Sequence, residues 1–236
     1  MPTHGRAAQL LAWGGGVAFV GSLAYFAYFF VAILGRRPAP ASALVPHLTV
    51  DLLLFAVFGA HHSLFARERT KRILRRWVPA AFERSVFVWV ASALFALLCL
   101  AWRPVPGGDV YRLSGVAAWI GWSAQLLGVW VTFRAAARLD VLELAGIRQA
   151  RDETRLPHLE IAGPYLWVRH PLYLGWMLIV SASPVMNADR LAFALISAAY
   201  LAIGIPWEER SLAASLGEPY RAYMTRVRWR VIPYVY

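Results

Sequence analysis

Charge is scarce in this chain, and acidic charge scarcest. Of 236 residues only 16% are Asp, Glu, Lys or Arg, with 13 acidic against 24 basic. A soluble domain carries about 25% charged residues, so a fold solvated mainly by water is excluded. Cysteine is nearly absent. Cys99 stands alone in an apolar run, which excludes a disulfide framework and a multi-cysteine zinc site; it reads as a small buried hydrophobe. No Gly-x-Gly-x-x-Gly follows a strand-like run, which excludes a dinucleotide-type phosphate loop. No internal repeat or low-complexity segment is present. A cleavable leader is not expected either. The first apolar run, residues 8–34, is too long for a signal-peptide core and meets Gly35-Arg36-Arg37 without a small-residue cleavage site.

Apolar and aromatic residues fill the chain instead: 59% are hydrophobic, with 11 Trp, 10 Tyr and 12 Phe. A helix crosses the hydrocarbon core with about 20 apolar residues, and runs 8–34, 44–65, 85–102 and 116–137 meet that length. A polar stretch follows, then two shorter runs, 172–186 and 191–206, separated by the turn-like Asn187-Ala188-Asp189-Arg190. The expectation is an all-α, multi-pass transmembrane helical bundle of about six membrane segments. The last two form a hairpin, and an amphipathic, Arg-rich segment follows at 207–230. One integral membrane domain, 1–236, then divides into N-terminal helices, 1–140, and a C-terminal core, 141–236.

The net charge of +11 does not imply nucleic acid, because the basic residues cluster between apolar runs, as they do against an anionic leaflet. With a cytoplasmic N-terminus, 19 of the 24 Lys and Arg fall on the inside. The positive-inside rule therefore predicts both termini in the cytoplasm. Membrane lipids are the expected surroundings, and no obligate protein partner is read.

Polar residues within spans are functional candidates. Asp51 and the pair His61-His62 lie in the second run; adjacent helical side chains point about 100° apart, so one imidazole at most need face a site. The densest segment is Gly163-Pro164-Tyr165-Leu166-Trp167-Val168-Arg169-His170-Pro171-Leu172-Tyr173-Leu174-Gly175. Pro171 suits a first helical turn with His170 at its cap. Free N–H groups there seat a carboxylate, Arg169 adds a charge-assisted bond, and Tyr173 and Trp167 offer faces to a cation. Gly175 permits close approach of a neighbour or ligand. Pro206-Trp207-Glu208-Glu209-Arg210 reads as a second helix start, with glutamates that complement the dipole or accept from hydroxyls and ammonium groups. Each segment alone also reads as an interfacial anchor.

Together, Arg169-His170-Pro171-Leu172-Tyr173-Leu174-Gly175 and Glu208-Glu209-Arg210, with Gly217-Glu218-Pro219-Tyr220 beyond, resemble the isoprenylcysteine carboxyl methyltransferase superfamily over residues 161–233. His62-Ser63-Leu64-Phe65-Ala66-Arg67 and Gly146-Ile147-Arg148-Gln149 resemble its bacterial methanethiol S-methyltransferase and NnrU-like branch. The chain departs from that branch at His61, Leu142, Glu143 and Ala145. The resemblance implies an S-adenosyl-L-methionine-dependent membrane methyltransferase of the bacterial inner membrane, S-methylating a small, lipid-soluble thiol. By the same resemblance Gly163, Tyr165, Arg169, His170, Pro171, Tyr173, Gly175, Glu208 and Glu209 would bind the cofactor. His62, Glu143, Arg148 and Gln149 would serve the acceptor, with His62, Glu143 and His170 the candidate bases. Phe58, Phe65, Trp130 and Phe133 would line its pocket; no metal is implied. Three alternatives stay open: a prenylcysteine carboxyl or phospholipid amine methyltransferase, an NnrU-like haem protein ligated by His61 or His62, and a scaffold whose polar residues are anchors.

Overall fold

The computed structural model describes residues 4–65, 68–140, 142, 145–148, 151, 159 and 161–236. It is helical, as the apolar runs require: with no water to satisfy the backbone, each span closes its own hydrogen bonds. The helices are α1 (His4–Tyr28, continued by a π turn at Phe29–Ile33), α2 (Leu44–Leu64), α3 (Glu68–Leu74), α4 (Ala80–Ala101), α5 (Gly115–Ala136), α6 (Pro171–Ser181), α7 (Ala188–Leu216) and α8 (Glu218–Arg226). Two short strands, β1 (Asp109–Arg112) and β2 (Val185–Asn187), form an antiparallel pair. Among the described residues five helices are long and apolar enough to cross a membrane, 5–33, 41–64, 81–101, 115–136 and 188–216. The protein is a multi-pass integral membrane protein.

Chain contacts divide it into two compact units, one built on α1–α4 and the other on α5–α8 with both strands. Helix α5 packs on α6 and belongs to the second unit.

In the first unit α1 lies along α4. Trp89 Nε1 donates to the Leu11 carbonyl at 3.0 Å, and its ring fills the space left by Gly14 and Gly15. Asp51 is fully buried in α2. Its Oδ1 accepts the Arg103 N–H at 2.8 Å just past the end of α4, so a backbone donor meets one oxygen of a carboxylate within a span. Cys99 is buried, as expected.

In the second unit α5 and α6 run antiparallel at close range. A Cβ on Gly128 would meet the Gly175 carbonyl at 2.7 Å, and one on Gly175 would meet Thr132 Oγ1 at 2.1 Å. Gln125 Nε2 donates to the Ile179 carbonyl at 2.8 Å, and the strand pair closes the end where α5 starts and α6 finishes. The Asn187–Arg190 cluster is a cap as well as a turn. Asn187 Oδ1 accepts the Arg190 N–H at 3.0 Å, and Asp189 Oδ1 accepts the Val105 N–H at 2.9 Å.

The last two apolar runs become helices of unequal length, α6 with 11 residues and α7 with 29, about 16 Å and 43 Å at 1.5 Å per residue. One expectation is corrected here: Pro206 does not start a helix, since it lies inside α7. Glu208 and Glu209 are therefore interior helical residues, and the helix breaks only at Gly217, whose φ of 65° suits glycine.

Candidate functional site

The Arg-His-Pro turn is entered through a 3-10 turn, Gly163–Leu166, which Gly163 opens at φ 58°. Pro171 then occupies the first position of α6 with His170 at the N-cap, as the sequence predicts. Segment 227–236 runs alongside. The Arg169 N–H donates to the Trp229 carbonyl at 2.9 Å, and the His170 N–H to the Arg230 carbonyl at 2.8 Å. With the backbone held, the side chains turn towards α7.

Glu209 is the hub. Its carboxylate is only 3% exposed, and an uncompensated charge there would be costly. Arg169 Nε donates to Oε1 at 2.6 Å, His170 Nε2 lies 3.3 Å from the same oxygen, and Arg230 Nε donates to Oε2 at 3.0 Å. Arg169 Nη1 donates to the carbonyls of Val227 and Arg228, each at 2.8 Å. Burial draws the Arg230 guanidinium down, but the Glu209 carboxylate outweighs it and holds the group above its ordinary range.

Glu208 is in a different position. The next residue on a helix is rotated by about 100°, and the Glu208 side chain remains 43% exposed. Tyr173 donates its hydroxyl to Glu208 Oε2 at 2.8 Å. His170 stacks on Tyr173 with ring centres 5.3 Å apart and planes 10° apart, and its Nδ1 lies 3.7 Å from the same Glu208 oxygen.

These groups border a cleft of about 240 Å³. Tyr165, Arg169, His170, Pro171, Tyr173 and Glu208 line it, with five leucines and, from α8, Tyr220 and Tyr223. Tyr223 donates to the Tyr165 carbonyl at 2.7 Å. Burial, with the Glu209 charge adding to it, pushes both α8 phenols well above their ordinary range. They stay protonated at neutral pH, so each hydroxyl keeps a proton to donate.

The structure thus brings the two motif segments against each other. It sets Glu209 behind the cleft as a support for His170 and Arg169, and it turns Gly175 to the α5 crossing rather than to the cleft. Gly163 lies beside the Arg138 guanidinium. His62 belongs to the first unit, stacked on Phe58 and tilted against Phe87. Arg148 is there too, paired with Asp140; Glu143 and Gln149 lie outside the described residues. Of the aromatic residues expected around an acceptor, Phe58 stacks with His62 and Trp130 stacks on Trp167. Sequence reasoning missed Tyr220, Tyr223 and Arg230 as cleft or network residues. The two tyrosines carry a signal, spacing of three on an amphipathic helix; Arg230 carries none, since it reaches Glu209 from an irregular segment 21 residues further along the chain.

No protein-family model and no solved structure matches the chain. Curated relatives do. A methanethiol S-methyltransferase 2 of Bradyrhizobium diazoefficiens is 38% identical over 187 residues, 76% of this chain and 71% of that protein. The methanethiol S-methyltransferase of Mycobacterium tuberculosis is 34% identical over 232 residues, 92% and 88% of the two chains. Bovine nurim is 27% identical over 184 residues, 72% of this chain and 70% of that protein.

Proposed function

The chain belongs to the methanethiol S-methyltransferase family, and from that premise we propose that it methylates a small thiol such as methanethiol, using S-adenosyl-L-methionine. The observation that carries the reading is the cleft between the Arg-His-Pro turn and α7. Its donor set suits such a molecule, which has a zwitterionic amino-acid head, a cationic sulfur and an apolar-faced nucleoside. Bound there, it supplies an electrophilic methyl group.

The rest is the work of this chain's own residues. Arg169 Nη2, the guanidinium nitrogen with no bond to any described residue, and the positive end of α6 attract a carboxylate. Glu208 accepts from an ammonium or hydroxyl group, and Tyr165 and Tyr173 turn aromatic surface to a sulfonium. The leucines exclude water, and in such surroundings the opposite charges of thiolate and sulfonium cancel favourably as they react. Overall a sulfur–carbon bond forms at the acceptor while the one to the sulfonium breaks, giving a thioether and S-adenosylhomocysteine. A free thiol titrates near 8.5, so a base must take its proton. We assign that role to His62, with Glu143 and His170 as the other candidates, and we give Arg148 and Gln149 the orientation of the acceptor. The cleft faces the cytoplasm from the bacterial inner membrane, and the acceptor arrives through water or lipid.

Calorimetric titration with S-adenosylhomocysteine tests the cofactor site. The wild type should bind, and His170→Ala should bind at least about tenfold more weakly with unchanged helical content. Equal affinity in the two proteins would return the turn to the role of an interfacial anchor.

A further inference from the structure

Two tyrosines three residues apart on α8 differ in one respect. Tyr220 and Tyr223 are 2% and 3% exposed, and both border the cleft. The Tyr223 hydroxyl is committed to the Tyr165 carbonyl at 2.7 Å. The Tyr220 hydroxyl makes no hydrogen bond with any described residue, and the residue lines the cleft. Its O–H is therefore free to donate to a molecule bound there.

What it recognises follows from its neighbours. With Arg169 Nη2, the Tyr220 hydroxyl makes two donors on a cleft whose exposed charge is the Glu208 carboxylate. An amino-acid head matches that set, its carboxylate to the donors and its ammonium to Glu208. We infer that Tyr220 is a binding residue of the site, donating its hydroxyl to the carboxylate of the methyl donor's amino-acid moiety. The assignment rests on the proposed cofactor reading and adds a specificity element to it. Its phenol stays protonated: burial first, then the Glu209 and Glu208 charges push its titration up against the opposing effect of Arg169.

The test uses two probes on the full-length protein in detergent: S-adenosylhomocysteine, and 5′-methylthioadenosine, which keeps nucleoside and sulfur but lacks the amino-acid head. Tyr220→Phe should bind S-adenosylhomocysteine about tenfold more weakly or worse, bind 5′-methylthioadenosine as the wild type does, and unfold at the wild-type temperature. A merely structural tyrosine would weaken both probes alike, and that result overturns the assignment. So does unchanged S-adenosylhomocysteine affinity. A wild type that binds neither probe removes the cofactor reading itself, and the Tyr220 assignment with it.

Discussion

Glu208 and Glu209 are neighbours that answer differently to the same substitution. Glu209 balances two guanidiniums in a buried place, and removing one partner of such a network typically costs about 3–5 kcal/mol. Glu209→Gln should therefore unfold well below the wild-type temperature in detergent. Glu208 is partly exposed and its charge faces the cleft, so Glu208→Gln should unfold near the wild-type temperature yet bind S-adenosylhomocysteine about tenfold more weakly. If the two variants behave alike, the division of labour is wrong. The motif was legible in the sequence as a pair; which glutamate supports and which faces a ligand was not, because a helical rotation decides it and Pro206 suggested the wrong helix start. His62 allows a separate check. His62→Ala should lose turnover while keeping cofactor affinity, and the loss should shrink as pH rises past about 8.5, where thiols ionise unaided. A pH-independent deficit would deny His62 the proton.

Helix α6 shows how far local rules reach. Pro171 and the cap at His170 start it where the sequence says, because fixed φ and a missing N–H favour that one position. The run through Pro206 defeats the same rule, since burial of α7 and the ion pairs of Glu209 outweigh an interior proline worth about 3 kcal/mol. Strands of four and three residues and the irregular segment 227–236 have no period to read, although the latter supplies Arg230 and the carbonyls that hold Arg169. Close packing of α5 on α6 gives the sharpest prediction at this scale. Gly175→Ala places a Cβ 2.1 Å from Thr132 Oγ1 and 2.7 Å from the Gly128 carbonyl. The helices must separate, with a loss of about 1–3 kcal/mol seen as a lower unfolding temperature. Gly204→Ala in α7 meets nothing within 4 Å and should be neutral or slightly stabilising. Equal destabilisation by both would refute the crossing.

At the scale of the whole molecule, the proposed orientation rests on where the basic residues lie. Within the second unit Arg112 and Arg190 belong to the strand-pair end. Arg134, Arg138, Arg169, Arg210 and the arginines of residues 221–230 gather at the cleft end. By the positive-inside rule we propose that the cleft faces the cytoplasm. A reporter fused after Tyr236 should read cytoplasmic, and one fused in the 105–114 connection should read external; the reverse would invert the topology. The central claim, methyl transfer to a small thiol, is tested most directly with purified protein and methyl-labelled S-adenosyl-L-methionine. Methanethiol, a prenylcysteine analogue and phosphatidylethanolamine serve as competing acceptors. The account predicts labelled dimethyl sulfide in the headspace and little label in the other two; label in the prenylcysteine or the phospholipid and none in the headspace would contradict it.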